Sequence, residues 1–282
     1  MITMKRLLIL CLAISLYSTT AYGWWGREHT TIAQIAENNL TPKAKELVKE
    51  YFKGKPMAYY ATFPDTFRGE MLIDAGFEYA NGTRLVACSH AFYVDENLKP
   101  FATNCVDGIL VKNSIYDMTR LAKNLKENHR TMNDSVRLVH LYLIVHCMGD
   151  LHCPVHVGFN YGKPKPHGKY RVYLKNGEKK TPQKLHGLWE SRMIGSFCPW
   201  TYSDLAVILD TYTKEQKEAI CEGDFYSWGE DSARSAIRLY NEYPEESVIE
   251  RSELHRKFQG LAEELIVKAG YRLAKVLNDI LN

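Results

Sequence analysis

The sequence predicts a mainly α-helical protein folded as a single domain, with one small β-hairpin set among the helices. Three observations predict this. Apolar residues recur at helical spacing through most of the chain, one segment is apolar on nearly every face, and the clearest β character lies in one stretch before a turn dipeptide. No internal repeat, low-complexity tract or long linker divides the 282 residues, so one core is expected.

Taken in order, the first stretch is an address rather than part of the fold. Lys5 and Arg6 precede the apolar run Leu7 to Leu16, which is too short to span a bilayer. Ala21-Tyr22-Gly23 then has the small-x-small pattern of a signal-peptidase site. Residues 1–23 are read as a signal peptide and 24–282 as the mature domain, exported to a periplasm or secreted, with Trp24 as its N-terminus. Thr41-Pro42 supplies the cap and first-turn residue of a helix running to about Phe52. Asp134 is expected to cap a helix reaching Asp150, in which Val136, Leu138, Val139, Leu141, Leu143, Ile144, Val145 and Met148 cover almost every face. A helix apolar all round is a buried one. Tyr170 to Leu174, followed by Asn176-Gly177, reads as the hairpin. Phe225, Trp228, Ser232, Ala236 and Tyr240 define a further helix, and Phe258, Leu261, Leu265, Leu273, Val276 and Ile280 the last one.

Composition narrows the function. Losing Lys5 and Arg6 takes 36 basic side chains to 34, against 33 acidic. The mature chain therefore has no global positive field for nucleic acid, and any such chemistry must rest on a site. Six cysteines remain (Cys88, Cys105, Cys147, Cys153, Cys198 and Cys221), an even number that in an exported chain points to disulfides. None has the Cys-x-x-Cys spacing of a structural zinc site, so cysteine is not the expected metal ligand.

The most informative segment is His146-Cys-Met-Gly-Asp150-Leu-His-Cys-Pro-Val-His156. His146 and Asp150 are four apart, so a helix puts them on one face. Burying both on an apolar helix without partners costs several kcal/mol. A simple His–Asp hydrogen bond would satisfy them, but His152 and His156 follow at once, with Pro154 turning the chain. Zinc takes neutral imidazole and carboxylate, and one carboxylate can bridge two ions. His186 and Glu190 repeat the four-residue spacing, and Asp65 is followed three residues on by Arg68. His90 lies in Cys88-Ser-His90-Ala-Phe-Tyr-Val-Asp95, an extended segment. Alone, each of these is an ordinary ion pair or a structural histidine. The N-terminus itself can chelate a metal through the α-amine and carbonyl of Trp24, with His29 five residues on.

In this order, Trp24 and His29, Asp65 and Arg68, His90, His146 and Asp150, His156, His186 and Glu190 resemble the zinc-dependent single-strand-specific nucleases of the S1/P1 type, over about residues 24–194. The resemblance implies the helical fold of the zinc phospholipase C and nuclease superfamily, and three zinc ions. It places one ion on Asp65, His90, His146 and Asp150, and a close partner on the amine and carbonyl of Trp24, His29 and the shared Asp150. A third falls on His156, His186 and Glu190. It makes Asp65 and Arg68 catalytic, Arg68 being the phosphate-contacting arginine, and offers Phe92, Tyr93 and Asp95 as contacts for a base. Three features depart from the family pattern. Glu190 stands where Asp is usual, His167-Gly168-Lys169 replaces Gly-Gly-Asn before the hairpin, and the spacing from His90 to Asp95 is longer.

The implied activity is phosphodiester hydrolysis of single-stranded DNA or RNA to 5′-phosphorylated products, with 3′-nucleotidase activity. The implied state is a monomer without a stable protein partner or a membrane span in the mature chain. Zinc suits the reaction because it acidifies water and offsets charge on phosphoryl oxygens. The competing readings are a zinc phospholipase C with the same metal array and, from another class, a non-catalytic zinc-binding periplasmic protein. Arg68 argues against the second, since a storage site has no need of a phosphate clamp.

Overall fold

A computed structural model describes residues 26–66, 90–106, 109–110, 113–159, 170–193, 199–250 and 252–282. Helices dominate it. In chain order they are α1 (Arg27–Asn38), α2 (Pro42–Tyr51), α3 (Met57–Tyr60) and α4 (Phe63–Thr66), then α5 (Ser114–Asn128) and α6 (Asp134–Leu151). After these come α7 (Leu185–Arg192), α8 (Tyr202–Leu209), α9 (Lys214–Ile220), α10 (Phe225–Glu242) and α11 (Glu253–Leu281). The strands are β1 (Phe92–Val94), β2 (Cys105–Val106), β3 (Ile109–Leu110), β4 (Val157–Phe159), β5 (Arg171–Asn176), β6 (Lys179–Lys184) and β7 (Val248–Glu250).

Local signals explain the boundaries. Thr41 caps α2 by accepting from the Ala44 N–H at 3.2 Å, with Pro42 in the first turn. For α6 the cap lies one residue earlier than the sequence predicts. Asn133 accepts from the Ser135 N–H at 2.9 Å, and Asp134 is the first helical residue, pairing with Arg137. From Val139 to Leu151 every side chain of α6 is buried, as its pattern requires. It can be so because α5 packs along it and α11, α1, α3 and α4 also lie against it. α11 crosses α1 as well, and α8 covers α1 from another side. The predicted stripes of α10 and α11 face inward: Phe225, Trp228, Ser232, Ala236 and Tyr240 on one, and Phe258, Leu265, Leu273, Val276 and Ile280 on the other. Leu261 is only partly buried.

Two small sheets position the site. β1 and β4 pair in parallel, Phe92 opposite Val157 and Val94 opposite Phe159. Parallel pairing brings the residues just before the two strands, His90 and His156, to the same end. β5 and β6 form the predicted hairpin, with β7 parallel to β5 on its other edge. Asn176 pairs with Lys179, so the turn residues are Gly177 and Glu178 rather than Asn176 and Gly177, and Gly177 takes a φ of +62°. α7 starts directly at the end of β6.

The cysteines correct an expectation. Cys147, Cys153 and Cys221 are free, the first two fully enclosed in the core. Cys147 and Cys153 fill space as small apolar side chains rather than joining in disulfides, while Cys88 and Cys198 lie outside the described residues. No described helix is long and apolar enough to cross a membrane.

Candidate metal centre and active site

Asp150 is the hub. It lies in the last turn of α6 and is 1% exposed, with its two oxygens facing different imidazoles. Oδ2 is 2.6 Å from His90 Nδ1 and 3.2 Å from His146 Nε2. Oδ1 is 3.1 Å from His156 Nδ1 and 3.6 Å from His29 Nε2. Asp65, at the end of the chain's early helical run, brings Oδ1 to 3.6 Å from His90 Nε2 and 3.7 Å from His146 Nε2. Beyond His156 lies a tighter triangle: its Nε2, His186 Nε2 and Glu190 Oε1 are all 3.1 Å apart.

Each side chain is placed by an identifiable element. His146 and Asp150 share a face of α6 at i and i+4, and His186 and Glu190 share a face of α7 in the same way. The His146 ring is fixed because its Nδ1–H donates to the Ala61 carbonyl at 2.8 Å, which leaves Nε2 to face Asp150. His29 stands in the first turn of α1 and stacks on His146, ring centroids 4.1 Å apart. That stacking needs Gly149. A Cβ there would lie 2.5 Å from His29 Nδ1 and 2.6 Å from its Cε1. Neither Gly149 nor the Ala61 carbonyl was singled out from the sequence. A glycine within a buried helix, between two ligand-type residues, was the signal available, since glycine costs about 1 kcal/mol there and needs a packing reason.

The electrostatics follow from one anion enclosed by imidazoles. Burial alone would raise the Asp150 carboxyl, but His146, His90 and His156 hold it well below the usual carboxylate range. Burial pulls His146 down, yet Asp150 and Asp65 outweigh it and bring the imidazole to about 10. His156 likewise rises to about 10 against its burial, through Asp150 and Glu190. Glu190 falls to about 2, because His156 and His186 outweigh its desolvation. Burial dominates at His29 and His90, whose imidazoles are lowered. A divalent cation bound among these groups would displace the protons that His146 and His156 otherwise hold beside the carboxylates. Burial and the nearby Glu190 and Asp150 push the Cys153 thiol up, so it stays protonated and does not act as a thiolate ligand.

The donor set fits zinc. Tetrahedral zinc with donors at about 2.0–2.1 Å sets them about 3.3 Å from one another. The triangle of 3.1 Å sides, with two neutral-capable imidazoles and one carboxylate, matches that spacing. Donor atoms of His29, Asp65 and His146 lie within 4.8 Å of one another, as do those of His90, His146 and Asp150. The longer Glu190 side chain still reaches both of its histidines. Exposure gives the direction of approach. His186 is 24% exposed, His90 17% and Asp65 10%, whereas His29, His146 and Asp150 are at most 2% exposed.

Comparison with known proteins decides the family. The pattern of the S1/P1 nucleases matches residues 24–282. The chain belongs to the S1/P1 nuclease family. It is also 23% identical to Endonuclease 1 of Arabidopsis thaliana over 297 aligned positions, covering 98% of this chain and 93% of that protein. As an S1/P1 nuclease it is a hydrolase of phosphodiester bonds. The family is zinc-dependent, and three His and carboxylate clusters here are able to hold metal.

The remaining sequence candidates separate. Trp24, Arg68 and His167-Gly168-Lys169 lie outside the described residues. Phe92 is a correction: it is fully buried in the core and cannot reach a base, because β1 turns it inward against Gly229 and its neighbours. Asp95 closes a turn instead, its Oδ1 accepting from the Asn97 and Lys99 N–H groups at 2.9 Å each. Tyr93, on the opposite face of β1, is half-buried with its ring over Gly158. His152, next to the hub, points away from it. Its Nδ1–H donates to the Met148 carbonyl, and its Nε2 accepts from Arg272, which also pairs with Asp231.

Proposed function

We propose that this S1/P1 nuclease is an exported enzyme with three zinc ions that cuts single-stranded DNA and RNA to 5′-phosphorylated products and releases 3′-phosphate from nucleotides. The observation that carries the reading is the division of Asp150, one oxygen toward His90 and His146 and the other toward His29 and His156, with the His156–His186–Glu190 triangle adjoining. One ion would be held by Asp65, His90, His146 and Asp150, and a second by the amine and carbonyl of Trp24, His29 and Asp150. The third would be held by His156, His186 and Glu190. Bound zinc supplies Lewis acidity, lowering the pKa of water to about 7 and offsetting charge on phosphoryl oxygens.

The chain's own residues do the rest. The buried floor of His29, His146 and Asp150 excludes bulk water, while the more exposed His90, Asp65 and His186 form the side a phosphate approaches. Arg68, three residues beyond Asp65, is proposed to grip the phosphoryl oxygens with its forked N–H groups. The Tyr93 ring offers a face for one unpaired base. A duplex gives up a few kcal/mol to present that base, which would favour single strands. Export is proposed from the leader of residues 1–23, and the family match beginning at residue 24 supports that boundary.

The test is zinc content together with initial rates on single-stranded DNA, RNA, duplex DNA and a phosphatidylcholine analogue. Three zinc ions with rapid cleavage of single strands is the expected result. Turnover of the lipid analogue alone, or equal rates on duplex and single strand, would overturn the substrate assignment.

A further inference from the structure

The mature chain is nearly neutral overall, yet one surface is not. Between Tyr170 and Lys184 the hairpin carries Arg171, Lys175, Lys179, Lys180 and Lys184, against Glu178 alone. Strand alternation sorts them. Val172 is fully buried and Leu174 packs against the core, so Arg171, Tyr173 and Lys175 point to solvent. Across the ladder Arg171 faces Lys184, Tyr173 faces Pro182, and Lys175 faces Lys180. Four cations and a tyrosine thus share one face, as two like-charged pairs set directly opposite each other. Directly opposed like charges destabilise a hairpin. Lys175 is relieved by Glu250 on β7 at 2.9 Å. Arg171, Lys180 and Lys184 have no ion-pair partner among the described residues. Glu246 lies at the Arg171 end but meets it only through its backbone N–H, which donates to the Arg171 carbonyl.

This face also leads to the metal centre. Lys184 is two residues before His186, and the ladder continues through the Leu185 N–H bonded to the Tyr170 carbonyl at 3.0 Å. From Lys184 back to Lys180 the strand covers about 13 Å, at about 3.3 Å per residue. An extended polyanion suits such a surface. It would meet one cation pair beside the third metal site and a second pair farther out, with an aromatic ring between.

We propose that the solvent face of the β6–β5–β7 sheet is an accessory binding surface for the substrate strand. Arg171, Lys175, Lys180 and Lys184 hold phosphates beyond the cleaved bond, and Tyr173 stacks on a base between them. This rests on the nuclease reading above and adds a surface that a short substrate does not reach. Its signature is therefore length-dependent.

The test compares the zinc-loaded wild type with a variant carrying Arg171→Gln, Lys175→Gln, Lys180→Gln and Lys184→Gln. KM is measured for a single strand of about twenty nucleotides and for a dinucleotide, across salt. The oligonucleotide KM should rise at least about tenfold more than the dinucleotide KM. The slope of log affinity against log salt should become shallower by about 0.7 for each cation engaged. Arg171→Gln with Lys184→Gln alone should carry about half of that change. Tyr173→Ala should weaken the long substrate, and Tyr173→Trp should restore it. Binding of an uncleavable phosphorothioate strand, read by anisotropy, tests the surface even if the wild type turns nothing over. Equal losses on both substrates, no loss on the long one, or loss of binding only to anionic vesicles would overturn the proposal.

Discussion

Gly149→Ala tests whether His29 is held where the structure puts it. The added Cβ would lie 2.5 Å from His29 Nδ1, whereas ordinary contact begins at 3.4 Å, so the ring must move by about 0.9 Å. The ring is 2% exposed and stacked on His146 at 4.1 Å, so it cannot move without disturbing a second member of the centre. Displacements of about 1 Å in an active site cost about a hundredfold in rate. The backbone works the other way, since alanine is favoured over glycine in a helix by about 0.8–1.0 kcal/mol. The expected outcome is a zinc content reduced by about one ion, turnover lowered about a hundredfold, and a melting temperature that falls despite the better helix former. Zinc by atomic absorption, initial rates and thermal unfolding are the assays. A variant with full zinc, wild-type turnover and a raised melting temperature would refute the close approach.

Four further outcomes follow from the same structure. Asp150→Asn keeps the shape but removes the anion enclosed by His29, His90, His146 and His156, and should lower zinc content by about two ions; near-normal zinc would end the shared-ligand assignment. On the proposed ligand set, in which the Trp24 amine binds zinc, a peptide retained ahead of Trp24 replaces that amine with an amide, a poor donor, and should cut activity and zinc content until it is removed. Phe92→Ala should cost about 3–5 kcal/mol of stability in urea titrations without altering the ratio of single-strand to duplex rates, whereas Tyr93→Ala should lower that ratio at little cost in stability. His140, buried with Nδ1–H donating to the Val136 carbonyl, is lowered to about 4 by desolvation, which that bond only partly offsets. Its unfolded form titrates near 6.5, so the neutral imidazole stabilises the fold above that pH. The benefit is lost as pH falls from about 6.5 to 4, up to about 3 kcal/mol. His140→Gln should flatten that part of the urea stability profile, and an unchanged profile would refute it.

The sequence by itself determined the helices that carry chemistry. A run apolar on every face could only be a buried helix, and a His and a carboxylate four residues apart on it must then be neighbours. The same logic placed His186 and Glu190 on one face of α7, because that spacing is local and depends only on the helical repeat. Thr41-Pro42 and the hairpin were legible for the same reason, to within a residue at the Asn133 cap and the Gly177-Glu178 turn. What only the tertiary structure decided is long-range. Parallel pairing of β1 with β4 brings His90 to His156, and the direction of that strand, not its composition, turns Phe92 inward and Tyr93 outward. His152 looks like a ligand beside Asp150, but the C-terminal end of α6 swings it to Arg272 on α11, 120 residues on. Gly149 matters only because α1 crosses α6 there, and the fate of Cys147 and Cys153 was set by the core that enclosed them. Charge behaves in the same way: the whole sequence carries a net charge of only +3, and strand alternation gathers Arg171, Lys175, Lys180 and Lys184 on one face. Local periodicity is written in the chain, whereas which periodic surfaces meet depends on a packing energy summed over all of them.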